Sequence, residues 1–92
     1  MSSAERTVTI VNQRGLHARA SAKFVNIVSE LPDDIDVRVS KDGLSAGGGS
    51  ILGLMMLGAA KGHEIVIKVE GPGAEHVADQ LQTLVANGFD ED

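Results

Sequence analysis

One short stretch of the chain combines side chains that can handle a phosphoryl group. Gly15-Leu16-His17-Ala18-Arg19 sets an imidazole two residues before a guanidinium, Arg14 and Lys23 are near, and no acidic residue lies between Arg6 and Ser29. An apolar helical periodicity opens at Ala18, so His17 falls where a helix starts, beside the unpaired N–H groups of its first turn. Such a terminus favours anions and disfavours an imidazolium. A neutral imidazole nitrogen is a nucleophile, whereas imidazolium is not. A phosphoryl group, with a charge of roughly −2, could be held there by guanidinium and backbone N–H donors. The same residues also fit a histidine that only caps a solvated helix end beside an ordinary surface arginine, and on residue types alone both readings stay open.

The other polar features are weaker. His63 sits in a loop with Lys61 and Glu64, and His76 lies off an apolar stripe between Glu75 and Asp79, so both are expected to be exposed and inert. No two histidines have the i, i+4 spacing of metal ligands, and no metal is expected. Gly47-Gly48-Gly49-Ser50 is not a nucleotide loop, since no lysine precedes Ser50 and Ile51 follows it. Ser50 can be a helix N-cap or a phosphorylation site. The segment Ile51-Leu52-Gly53-Leu54-Met55-Met56-Leu57 is apolar all round, more than a short helix on a sheet can bury. Part of it is expected to face partners, a role that methionine suits because its flexible side chain accepts several surfaces.

These residues need elements to place them. Thr7 to Val11 is β-branched and reads as a strand with Val8 and Ile10 on one face. From Ala18 to Glu30 the period changes, with Ala20, Phe24, Ile27, Val28 and Leu31 on one helical face, and Pro32 with Asp33-Asp34 ends the helix. Ile35, Val37 and Val39 alternate with polar residues, Asp42-Gly43 signals a hairpin, and Leu44 to Gly47 is the short return strand. The apolar segment after Ser50 fits helix or strand by pattern alone, and Ser50 in a capping position favours a short helix ending near Gly58. Glu64 to Glu70 alternates as a strand, and Ala74, Val77, Ala78, Leu81, Leu84 and Val85 line a helix closed by Asn87-Gly88. The tail Asp90-Glu91-Asp92 is expected to be frayed and solvated. The order β-α-β-β-α-β-α predicts an α+β fold, a two-layer open-faced sandwich in which an antiparallel sheet carries the helices on one face. The strand order is not legible in the pattern, and a ferredoxin-like arrangement shares the first six elements.

Composition narrows the function classes. Ninety-two residues form one domain, expected to span 1–92, and 42% hydrophobic with 23% charged residues is a globular balance. Eight basic against thirteen acidic residues, a net charge of −5, disfavours a generic nucleic-acid binder. Phe24 and Phe89 are the only aromatic residues, so no platform stacks bases. The absence of cysteine removes disulfides, iron–sulfur clusters and thiol nucleophiles. No apolar run is long enough for a membrane span and the polar start MSSAERT is no signal peptide, so a cytoplasmic protein without membrane contact is expected.

The segments GLHARASAKFV (Gly15 to Val25) and SILGLMMLGAAKG (Ser50 to Gly62), with the spacing between them, resemble the histidine-containing phosphocarriers (HPr) of the bacterial phosphoenolpyruvate-dependent phosphotransferase system. The resemblance spans nearly the whole chain. It implies a four-stranded antiparallel sheet with three helices on one face. It also implies a covalent carrier, a monomer without a cofactor, rather than a stand-alone catalyst. His17 would accept a phosphoryl group on Nδ1 from Enzyme I and pass it to a IIA-type acceptor, with Arg19 pairing with the phosphate. Ser50 matches the serine that an HPr kinase/phosphorylase modifies in many members. Ile51, Leu52 and Met55 match the apolar docking positions, and Ala20 and Lys23 are expected to join them. Two departures stand out: Ala20 replaces the usual proline, and Gly49 sits where lysine is common. The RASAKF form is similar to members serving nitrogen-type regulation. A regulatory binding module acting through phosphoserine is the alternative, and a ligand-sensing domain of ferredoxin-like topology is a third reading.

Overall fold

The structure is a computed structural model that describes residues 2–91. Its elements are β1 (Ser3–Thr9), α1 (Ala18–Ser29), β2 (Asp36–Lys41), β3 (Leu44–Gly47), α2 (Ile51–Met56), β4 (Glu64–Glu70) and α3 (Ala74–Ala86), followed by a short 3-10 turn at Gly88–Asp90. This is the order that the sequence predicts. The strands form one sheet in the order β1-β4-β2-β3, and every neighbouring pair is antiparallel. A ferredoxin-like sheet would place its first and third strands at the centre; here β1 and β3 are the two edges, which excludes that topology.

The first strand starts earlier than the β-branched run suggests, at Ser3 rather than Thr7, and ends at Thr9 rather than Val11. The reason is tertiary: an unbroken ladder with β4 runs from Ser3↔Glu70 to Thr9↔Glu64 and recruits Ala4, Glu5 and Arg6 despite their weak strand propensity.

Alternation along the strands separates the two sheet faces. Ala4, Val8, Val37, Val39, Ala46, Ile65, Ile67 and Val69 are buried against the helices, where Ala20 and Phe24 of α1, Leu54 of α2, and Val77, Ala78, Leu81 and Val85 of α3 meet them. The opposite face carries Glu5, Asp36, Arg38, Lys68 and Glu70, all exposed. Ile27, Val28 and Leu31, expected on the buried face of α1, are half-buried at the margin of the core. Arg6 sits on the helix-facing side of edge strand β1, where its guanidinium reaches Asp79 of α3 at 3.0 Å. Among the described residues, no helix is long and apolar enough to cross a membrane.

Candidate functional site

The loop before α1 is held by backbone contacts to the loop before β4. Ile10 N–H donates to His63 O at 2.9 Å, Gly62 N–H donates to Ile10 O at 2.8 Å, and Leu16 N–H donates to Ala59 O at 3.0 Å. Gly15 makes the close approach possible: its φ is +64°, and a Cβ there would lie 2.3 Å from Ala59 O. Leu16 is buried immediately after it. Asn12, also buried, donates Nδ2–H to Gly15 O at 2.9 Å and to Glu91 Oε1 at 3.1 Å. Two acceptors on one amide nitrogen settle the orientation of that side chain.

His17 is the N-cap residue of α1, with an extended backbone at φ −76° and ψ −178°. Its Nδ1 accepts the Arg19 backbone N–H at 3.3 Å, in the position usually filled by a serine or aspartate oxygen. Its Nε2 meets Glu91 Oε2 at 2.6 Å. The two contacts agree on one tautomer. A nitrogen that accepts an N–H has its lone pair pointing at the helix terminus, so the ring proton is on Nε2, where a carboxylate receives it. The Glu91 carboxyl is held below its ordinary value. Desolvation raises it, but hydrogen bonds from Asn12 and His17 and the nearby charges of His17 and Lys23 outweigh that.

Around the ring lies an open hollow of about 350 Å³ lined by Arg14, His17, Arg19, Lys23, Asp90 and Glu91. Three cationic side chains and two carboxylates therefore share it. The stretch of sequence without acidic residues does not survive in space, because the C-terminus returns to the site.

That return corrects the expectation of a frayed tail. Gly88 turns the chain at φ +65°, Phe89 is fully buried, and Lys23 Nζ donates to Phe89 O at 2.6 Å. Asp90 closes the 3-10 turn, Glu91 is anchored on Asn12 and His17, and Asp92 lies outside the described residues. Lys23, expected to face a partner, instead has its ammonium engaged within the chain. Ala20 is fully buried and presents nothing to a docking protein, a second correction: the position lies on the inward stripe of α1, where the small side chain packs into the core. Arg14 and Arg19 are exposed at the rim of the hollow.

At the second segment Ser50 is the N-cap of α2, its Oγ accepting the Gly53 N–H at 2.9 Å. Leu54 and Leu57 point into the core, while Ile51, Leu52 and Met55 are exposed. Met56, at 71%, is the most exposed of the group and belongs to the same patch. His63 and His76 are exposed, and His63 Nδ1 accepts the Ala60 N–H at 3.0 Å as a loop cap. Sequence reasoning missed Glu91, Asn12 and Phe89. The available signal was Phe89 itself, an aromatic residue placed beyond the helix stop at Asn87-Gly88, which a solvated tail has no use for.

Comparison with known proteins identifies the family and the fold. The family described as "PTS HPr component phosphorylation site" matches residues 4–87. The phosphocarrier protein HPr of Cupriavidus necator is 38% identical over 87 residues, covering 95% of this chain and 96% of that protein. The phosphocarrier protein NPr of Shewanella violacea is 37% identical over 91 residues, covering 99% of this chain and 98% of that protein. The crystal structure of HPr from Thermoanaerobacter tengcongensis superposes with a TM-score of 0.83 at 35% identity, covering 97% of this chain and 98% of that one. With the family match spanning both signature segments and the fold shared along nearly the full chain, this protein belongs to the HPr family of the phosphotransferase system.

Proposed function

We propose that the protein is a phosphocarrier in which His17 Nδ1 accepts a phosphoryl group from phosphorylated Enzyme I and yields it to a IIA-type acceptor. The observation that carries this reading is the ring's orientation: an imidazole whose Nδ1 accepts from the first turn of α1, at the edge of a hollow with Arg14 and Arg19 on its rim. In acceptance, the Nδ1–P bond forms as the bond between phosphorus and the donor nitrogen breaks, and that electron pair returns to the donor. The Arg19 N–H, released from Nδ1, turns to a phosphoryl oxygen, and the Arg19 guanidinium supplies the balancing charge. The transfer reverses at the acceptor. The carrier role is what HPr and NPr relatives share, and their near-equal identities to this chain support the common chemistry rather than one branch of it.

The exposed apolar group Ile51, Leu52, Met55 and Met56 serves as the docking centre in this reading, and Ser50 at its edge as a regulatory phosphorylation site for an HPr kinase/phosphorylase. The primary test is mass analysis after incubation with Enzyme I, magnesium and phosphoenolpyruvate. One acid-labile, base-stable phosphoryl group is expected, abolished by His17→Ala and retained by His63→Ala and His76→Ala. Labelling that survives His17→Ala overturns the reading.

A further inference from the structure

We propose that Glu91 is a positioning residue for phosphoryl transfer, holding the Nε2 proton of His17 so that Nδ1 alone is the nucleophile and the ring's positive charge is balanced once phosphorus is bound; this rests on the carrier reading of His17. Attack through Nδ1 leaves the Nε2 proton in place, so the phosphorylated ring is an imidazolium until the phosphoryl group departs. Glu91 Oε2, 2.6 Å from Nε2, is placed to neutralise that cation. It approaches from the side of the ring away from Nδ1, so it does not obstruct the incoming phosphorus. The other charged groups around the ring are Arg14, Arg19, Lys23 and Asp90, and of all the lining residues only Glu91 contacts Nε2.

The carboxylate is held by construction. Its second oxygen takes the Asn12 amide, whose nitrogen also binds the His17 loop at Gly15 O. Phe89, two residues before it, is fully buried, and Lys23 of α1 fastens the Phe89 carbonyl. Phe89 and Asp90 adopt φ of +57° and +60°, a costly backbone for residues with side chains, which persists because the surrounding contacts over-determine it. The clasp formed by residues 88–91 lies just beyond residue 87, where the match to the family model ends.

The test compares wild type, Glu91→Gln, Glu91→Asp and Glu91→Ala in phosphoryl acceptance from Enzyme I, with NMR of the His17 ring nitrogens in the unphosphorylated proteins. In wild type the Nε2 proton is expected to be visible, shifted downfield and slow to exchange with water. In Glu91→Ala that signal is lost. Glu91→Gln, which keeps an acceptor but no charge, is expected to lower kcat about tenfold with KM within about twofold, and Glu91→Asp to recover most of the loss. Thermal melts of each variant separate these effects from unfolding. If wild type is labelled on His17 while Glu91→Gln and Glu91→Ala match it in kcat and keep the Nε2 signal, the positioning role is wrong and the carrier reading stands. If wild type itself takes no phosphoryl group, the carrier reading fails first.

Discussion

At His17 the two ring nitrogens face different surroundings: Nδ1 the first turn of α1 at 3.3 Å, Nε2 a carboxylate at 2.6 Å. A histidine at a helix start is ambiguous by residue type, and the partners of each nitrogen favour the tautomer with its proton on Nε2. The same contact predicts a pH signature in stability. The Glu91 carboxyl is lower in the fold than in the unfolded chain: desolvation opposes this, but the Asn12 and His17 hydrogen bonds and the nearby positive charge prevail. Its contribution is therefore complete above the unfolded value and declines as pH falls through the folded one. The melting-temperature advantage of wild type over Glu91→Gln should be present above the ordinary carboxylate range and shrink as pH falls below it. A difference that is unchanged by acidification would contradict the assigned role of the contact.

Among the elements, α2 shows how far pattern reading reaches. Its six residues begin after the predicted cap at Ser50, and its all-round apolar character divides into an inner side, Leu54 with the C-cap Leu57, and an exposed outer one. Ser50 caps the helix from an exposed position, its Oγ accepting one N–H, so capping and the proposed phosphorylation are compatible. Removing the cap with Ser50→Ala should cost about 0.5–2 kcal/mol of stability. Ser50→Asp keeps a capping oxygen and adds charge at a terminus that tolerates it. A charge beside Ile51, Leu52 and Met55 must be desolvated when a partner docks, a penalty of roughly 1.4–3 kcal/mol, or about ten- to a hundredfold in apparent affinity. Transfer assays should show a raised KM at Enzyme I for Ser50→Asp and a wild-type KM for Ser50→Ala; equal values would leave Ser50 as a cap only. The C-terminal turn shows where pattern reading stops. A solvated tail and a docked one have the same acidic sequence, and the difference is made by Phe89, whose burial is worth about 1.5–3 kcal/mol, more than exposed ion pairs supply.

For the whole molecule, periodicity conveys the element order and the inward-facing residues because both are local properties of the chain. Strand order and the Glu91–His17 pair are not local. β1 finds β4 across most of the sequence, and the two site residues are separated by 74 positions. The charge balance of the site shifts accordingly: a stretch read as purely basic becomes, once folded, a basic hollow with two carboxylates at its side. In the proposed function, a protein of this size supplies one well-oriented nitrogen and a docking face, and its partners complete the catalytic environment. The most direct measurement of that account is phosphorus–nitrogen NMR on the ¹⁵N-labelled protein after phosphorylation by Enzyme I. The account predicts a single phosphorus resonance coupled to Nδ1 of His17, with a proton still on Nε2. Phosphorus coupled to Nε2, or carried on any other residue, would contradict it.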